Sequence, residues 1–212
     1  MARPRSDIDT RVLRAAAQRF LRDGVDGASL REIARDAGTS VGMVTYYFPT
    51  KDDLFTAVVE GVYVGVLRDI TAALTPDAPF EEKVQRLHAR LSALTDEEFL
   101  VVRLVMREVL VSSPRTPALL ARFSRGHIPL LLSTVGEAFA RGEVRGDVSP
   151  VAVVLSLATT TLGVQLMARM LSGSALLQGQ TLDPRDLADA VRDVLFRGLA
   201  PRTSARASRP EG

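Results

Sequence analysis

Apolar residues recur three and four positions apart along most of the chain, and strand-like alternation is hard to find. Val12, Leu13, Ala16, Ala17 and Phe20 form one such stripe and predict a first amphipathic helix, with the stretch from Gly24 to Gly27 as the turn after it. A second helix is predicted from Ser29, with Leu30, Ile33, Ala34 and Ala37 on its apolar face. Ser29 can cap a free backbone N–H there, and Glu32, three residues on, can reach back to complete a capping box. Gly38 follows where the chain needs a conformation that side chains disfavour, Thr39 or Ser40 can cap a third helix, and Pro49 ends it. Thr50 then caps a long helix on which Leu54, Phe55, Val58, Val59, Val62, Tyr63, Val66, Leu67 and Ile70 recur, up to Pro76 and Pro79. At about 1.5 Å per residue this helix spans about 35 Å, long enough to serve two parts of a protein.

Further helices are predicted over Phe80 to Leu94, over Glu97 to Val111 behind a Thr95–Glu98 capping box, and over Pro117 to Arg141 with a bend at Pro129. Two more start with proline in the first helical position, Pro150 after Ser149 and Pro184 after Asp183. Residues 172–181 between them are rich in Gly and Ser, and the Pro, Arg, Ser and Ala composition of 201–212 reads as a disordered tail. No charge occurs between Val151 and Ala168, close to the ~18 residues at which a membrane helix has to be considered. Ser156, Thr159, Thr160, Thr161 and Gln165 make the segment too polar for a spanning helix. A helix without a solvated face has instead to be covered on every side. Ala152, Ser156, Thr159, Gly163, Met167 and Met170 form a stripe that lets another helix approach, whereas Val154, Leu157, Thr161, Val164 and Ala168 face the chain's own core. The stripe points to a dimer interface, completed by Leu187, Val191, Val194 and Leu195 of the last helix.

The segment from Ser29 to Lys51 carries the functional signal. Val44 and Phe48, four apart, face inward, which leaves Val41, Gly42, Met43, Thr45 and Tyr46 on the outer side of a short helix behind a glycine turn. In a helix-turn-helix that side reads base edges. Helix pairs joined by a glycine turn are common, so the weight rests on the composite. Ile33-Ala34, Ala37-Gly38, Ser40, Gly42, Tyr47-Phe48-Pro49, Lys51 and Leu54 fall at the spacing of the N-terminal domain of TetR-type transcriptional regulators, and the run from about Thr10 to Leu54 resembles that domain. The resemblance implies an all-α fold: a three-helix helix-turn-helix domain over 1–50, then a helical effector-binding and dimerisation domain over 51–200. It implies a regulator, a repressor that leaves an inverted-repeat operator when a small molecule binds, working as a homodimer in the bacterial cytoplasm. Val41, Met43, Thr45 and Tyr46 fall where family members contact bases, Gly42 allows close approach, and Ser40 heads the reading helix. Arg31 reaches either a base edge or solvent, and Ser29, Tyr47 and Lys51 match phosphate contacts. The position of Thr45 is usually Tyr in the family and that of Val41 is often polar or basic, so base readout here leans on apolar contact with thymine methyls.

Charge adds a modest bias. The net charge of the 212 residues is +2, but residues 1–51 hold nine Arg or Lys against six acids, enough to assist phosphate binding. The chain has no cysteine, which removes disulfides and thiolate metal sites and suits a reducing compartment. The two histidines, His88 and His127, have no carboxylate at a metal-ligating spacing, so neither a metal nor a cofactor is expected. His88 is read as a surface helix residue. Arg103, Met106, Arg107, Phe123, His127 and Gln165 are candidates to line an effector pocket, although core packing or a hydrogen-bonded structural role suits several of them equally well. An enzyme would need a nucleophile with its base, a carboxylate cluster, a Gly-rich phosphate loop or HExxH, and none is visible. A helix-turn-helix protein without a ligand, controlled by a protein partner, stays open as the alternative; a closed, filled C-terminal core would favour it, whereas a cavity of several hundred Å3 there would favour ligand control.

Overall fold

The computed structural model of the protein describes residues 7–171 and 183–199. The expected Gly/Ser-rich loop and the expected disordered tail lie outside those residues. The described helices are α1 (Asp7–Asp23), α2 (Leu30–Asp36), α3 (Val41–Tyr47), α4 (Lys51–Leu74), α5 (Phe80–Ser92), α6 (Asp96–Leu110), α7 (Thr116–Phe123), α8 (His127–Ala140), α9 (Pro150–Leu171) and α10 (Pro184–Leu199). Among the described residues there is no strand.

The helices form two compact units, one of Met1–Asp69 with Leu94–Gly126, the other of Ile70–Ala93 with His127–Gly212. The first unit therefore holds α6 and α7 together with the helix-turn-helix, and the division passes through α4. Its core joins Val12, Ala16 and Phe20 of α1, Ile33 of α2, Val44 of α3, Leu54, Phe55 and Val58 of α4, and Val101 and Leu104 of α6. Phe20, Ile33, Leu54 and Leu104 have no accessible surface, and burying each side chain stabilises the unit by about 1.5–3 kcal/mol. The second unit packs α5, α8, α9 and α10 around Phe80, Val84, Val135, Ala138, Val153 and Leu157, with Leu195 and Phe196 of α10 against them.

Local chemistry accounts for the helix limits. Gly24 and Gly38 take φ of 79° and 64°, the left-handed region that turns the chain after α1 and between α2 and α3. Ser40 Oγ accepts from the Met43 N–H at 3.2 Å. Thr50 and Asp53 cap α4 reciprocally, the Asp53 N–H donating to Thr50 Oγ1 at 3.0 Å and the Thr50 N–H to Asp53 Oδ2 at 3.1 Å. Thr95 and Glu98 form the expected capping box at α6. The box expected at Ser29 does not form: Ser29 takes the N-cap backbone conformation without a side-chain bond, because Glu32 is drawn to Arg19.

The single helix expected over Pro117 to Arg141 is two helices, and the break lies at residues 124–126 rather than at Pro129. Ser124 closes α7 by donating its N–H to the Leu120 carbonyl, and the Gly126 N–H turns back to Phe123. Pro129 sits in the first turn of α8, where a missing N–H has no helical acceptor to lose, so it opens a helix instead of bending one. His88 is a second correction. It is buried, because on α5 it lies four residues beyond Val84 and shares that inward face with Leu87 and Leu91.

Candidate nucleic-acid interface

A reading helix needs to be held rigidly before its exposed face means anything. Arg19, itself only 9% exposed, reaches from α1 to α2 and donates from Nε to Asp36 at 2.6 Å and from Nη1 to Glu32 at 2.7 Å. The Asp36 carboxyl is held below its ordinary value chiefly by that hydrogen bond. Below it, Ile33 and Ala34 of α2 and Val44 of α3 enter the shared core, so the two short helices are fixed by packing on one side and by a charge-assisted clamp on the other.

The opposite side of α3 is open. Gly42, Thr45 and Tyr46 are exposed, Val41, Met43 and Tyr47 are half-buried, and Val41 and Phe48 lean on the core from its edge. Tyr46 is the extreme case at 73% exposure, its ring edge-on to Tyr47 at 5.3 Å. Thr45 Oγ1 donates back to the carbonyls of Val41 and Gly42 at 3.1 and 3.2 Å, so its donor is spent within the helix. That residue offers its methyl and its lone pairs to a partner, which suits apolar contact more than hydrogen-bond donation. A Cβ on Gly42 would meet only Ser40 Oγ, at 3.8 Å. The fold itself makes no use of the missing side chain there, and the space it frees faces outward.

The other residues expected at a DNA surface border this face. Arg31 and Ser40 are exposed and Ser29 is half-buried. Lys51, at the start of α4, donates from Nζ to the Asp26 carbonyl at 2.6 Å, a bond to neutral backbone that can be exchanged for a phosphate oxygen. All ten residues expected at a DNA surface belong to the first unit, on α2, α3 and the ends that flank them.

Residues 12–58, which contain α2 and α3 and the start of α4, match the family model "Bacterial regulatory proteins, tetR family". The chain belongs to the TetR family. The regulator UidR of Escherichia coli is 26% identical over 164 residues, 73% of this chain and 78% of that one. A solved tetR-family protein from Rhodococcus superposes with a TM-score of 0.74 at 21% identity, covering 92% of this chain and 98% of the other. AibR, solved in complex with isovaleryl coenzyme A and operator DNA, superposes with a TM-score of 0.72 at 17% identity, over 89% of this chain and 98% of that one. This TetR-family chain is thus an all-helical, DNA-binding transcriptional regulator, and its matched relatives are transcriptional regulators too.

The remaining candidate residues fall in several places. In the first unit Arg103 is exposed, Met106 is half-buried, and Phe123 lies against Tyr63 with ring centroids 5.3 Å apart. Arg107 donates from Nη1 to the carbonyls of Phe20 and Leu21 at 2.9 and 2.7 Å, closing the C-terminus of α1. In the second unit His127 is half-buried and Gln165 is buried, its Nε2 donating to Ser92 Oγ at 3.1 Å. A cavity of about 350 Å3 lies in the first unit between α1, α4 and α6, lined among others by Leu13, Ala17, Val58, Val62, Leu100 and Val101, and none of the six pocket candidates borders it.

On α9, Ala152, Thr159 and Met167 are exposed and Ser156 and Gly163 half-buried, while Leu157, Thr161 and Ala168 on the other side are buried. The side chain of Met170 lies outside the described residues. By length and composition Pro150–Arg169 would suffice to cross a membrane, and 28% of that apolar window is buried within the chain. On α10, Val194 is 71% exposed, Leu187 and Val191 are half-buried, and Leu195 packs into the second unit's core.

The spacing pattern did not reveal Arg19 or Arg115. Arg115 lies 89 residues from Asp26 and 63 from Asp52, the two carboxylates it bridges, and no local signal marks such a pairing.

Proposed function

We propose that this TetR-family regulator is a homodimeric repressor that occupies an inverted-repeat operator and leaves it when a small-molecule effector binds. The observation that carries the reading is the outer face of α3, with Thr45 and Tyr46 exposed on a helix whose Val44 is buried and whose support is clamped by Arg19. Val41, Gly42, Met43, Thr45 and Tyr46 meet base edges; Ser29, Tyr47 and Lys51 meet phosphates; Arg31 and Ser40 complete the contact surface. Residues 1–50 supply that surface, and 51–200 supply the effector site and the dimer.

The dimer forms on the open stripe of α9, from Ala152 to Met167, with α10 beside it. Covering that stripe with a second copy accounts for a helix that carries no charge from Val151 to Ala168 and whose outer face is otherwise exposed, and the protein works in the cytoplasm as a regulator rather than as an enzyme or a membrane protein. Two reading helices related by a two-fold axis meet half-sites separated by about 34–36 Å or a multiple of it. Ligand control is preferred to control by a protein partner on the likeness to structural relatives; the open cleft of about 350 Å3 at α1, α4 and α6 lies in the first unit, apart from the six pocket candidates. AibR, a structural relative, is solved in complex with isovaleryl coenzyme A and operator DNA, so a protein of this fold takes up both a small molecule and DNA. An effector that binds one arrangement of the dimer better than another shifts the population away from the half-site spacing.

Selection of bound fragments from genomic DNA tests the reading. Inverted repeats with half-sites one or two helical turns apart are expected, and recovery of fragments without any shared motif would reject it.

A further inference from the structure

Lys51 is flanked by acids, an awkward setting for a residue that meets a phosphate. Its Nζ sits 2.6 Å from the carbonyl oxygen of Asp26, and Asp52 is its neighbour in sequence. The side chains of Asp26 and Asp52 are 79% and 68% exposed, so neither carboxylate is sequestered by burial. Both are held instead by one guanidinium. Arg115, the N-cap residue of α7, donates from Nη2 to Asp26 at 2.6 Å and from Nε to Asp52 at 2.6 Å, with Nη1 also 3.3 Å from Asp26.

The guanidinium is built into place. It is 11% exposed, its Cζ lies 5.9 Å from the centre of the buried Phe55 ring, and Nη1 stands 3.5 Å from the buried carboxylate of Glu108. The loop that carries it is fixed as well, the Thr116 hydroxyl donating to the Glu108 carbonyl at 3.0 Å. The Asp26 carboxyl is lowered chiefly by the hydrogen bond from Arg115, so it stays ionised and paired at neutral pH.

We propose that Arg115 is a positioning residue for DNA binding: it neutralises Asp26 and Asp52 beside Lys51, so that the Lys51 ammonium can leave the Asp26 carbonyl for a backbone phosphate without two carboxylates opposing the approach. The inference rests on the DNA-binding reading above. Its physical basis is that like charges a few ångströms from a phosphate repel it within the Debye length of about 8–10 Å, and an ion-paired carboxylate repels it far less. It also places the loop between α6 and α7 in direct control of the phosphate contact, because any displacement of Arg115 uncovers both acids.

The test measures binding of the full-length protein to an operator duplex recovered by genomic selection and to a random-sequence duplex, across salt concentrations. At about 0.1 M salt Arg115→Gln is expected to bind both duplexes about tenfold more weakly, with the slope of log affinity against log salt shallower by about one. The triple variant Arg115→Gln/Asp26→Asn/Asp52→Asn, which removes the uncovered acids, is expected to recover binding to within about twofold of wild type. A purely structural Arg115 would leave the triple variant as weak as the single one, and either that result or wild-type binding by Arg115→Gln overturns the proposal. If Arg115→Gln fails to fold, as judged by circular dichroism, Asp26→Asn/Asp52→Asn with Arg115 intact decides: binding to both duplexes within about twofold of wild type supports the shielding role, and binding tightened about tenfold shows that the paired acids still oppose the phosphate and refutes it. Wild-type protein that binds no duplex would instead reject the DNA-binding reading itself.

Discussion

Gly126 lies at the junction of α7 and α8, and replacing it with alanine tests how tightly α7 is fastened to α4. A Cβ at this position would lie 2.0 Å from Tyr63 Oη, 3.1 Å from Tyr63 Cζ and 3.4 Å from the Arg122 carbonyl. The phenol has to retreat by about 1 Å or more to reach ordinary contact distance, and its ring is held on two sides. Phe123 sits against it at 5.3 Å, and the Arg122 guanidinium, paired with Glu60, lies 4.5 Å from its centroid. Overpacking of this kind costs about 1–3 kcal/mol, equivalent to a fall in Tm of roughly 2–12 °C for a chain of this length. Thermal unfolding by circular dichroism of Gly126→Ala, Tyr63→Phe and the double variant measures it. Tyr63→Phe removes the oxygen nearest the new methyl, so the double variant should lose clearly less than the sum of the two single losses. Equal melting of Gly126→Ala and wild type, or strict additivity in the cycle, would refute the steric argument.

Three further outcomes are expected. Lys51→Ala should weaken binding to operator and random DNA alike and reduce the salt slope by about one, whereas Thr45→Val, which keeps the methyl, should spare random-DNA binding and shift only base preference; fluorescence anisotropy on both duplexes separates the two. Arg19→Met should narrow the stability gap to wild type on acidification. The Asp36 carboxyl is held low by Arg19, so its contribution is complete above the unfolded carboxylate value near about pH 4 and is lost as pH falls through the lower folded value. Urea melts from neutral pH to below pH 4 that show a constant gap would count against an ionic origin. Met167→Glu, at an exposed position of the α9 stripe, should convert dimer to monomer in sedimentation at micromolar protein without changing helix content, and an unaltered dimer would remove α9 from the interface.

What the sequence made legible depended on whether a residue's partner was near or far along the chain. The Thr95–Glu98 box forms as its spacing predicts, whereas the same signature at Ser29 fails because Arg19, 13 residues before Glu32, offers that carboxylate a stronger bond. A proline inside an apolar run reads as a bend, yet at Pro129 the run has already ended at residues 124–126, where the buried Gly126 fits beneath Tyr63. Polarity alone predicts His88 at the surface, although its spacing from Val84 turns it inward. The outer face of α3 is readable in part: the buried Val44 fixes the rotation of so short a helix and leaves Gly42, Thr45 and Tyr46 exposed, whereas Val41, expected beside them, packs half-buried against the core. Arg107 and Arg115 were not, since each acts on backbone or carboxylates more than 60 residues away.

The interleaving of the two compact units has a consequence for how the chain comes into being. Residues 1–69 cannot complete their own core, because Val101, Leu104 and Leu119 belong to it and the unit closes only at Gly126. During synthesis the reading helix therefore emerges well before the wall that supports α1 and α4, and it has to wait for about eighty more residues, with α5 set aside for the other unit, before its unit is closed. For the same reason the module cannot be cut at residue 50 and grafted onto another body as a cassette: a transplant that keeps its DNA contacts needs to carry α6 and α7 with it.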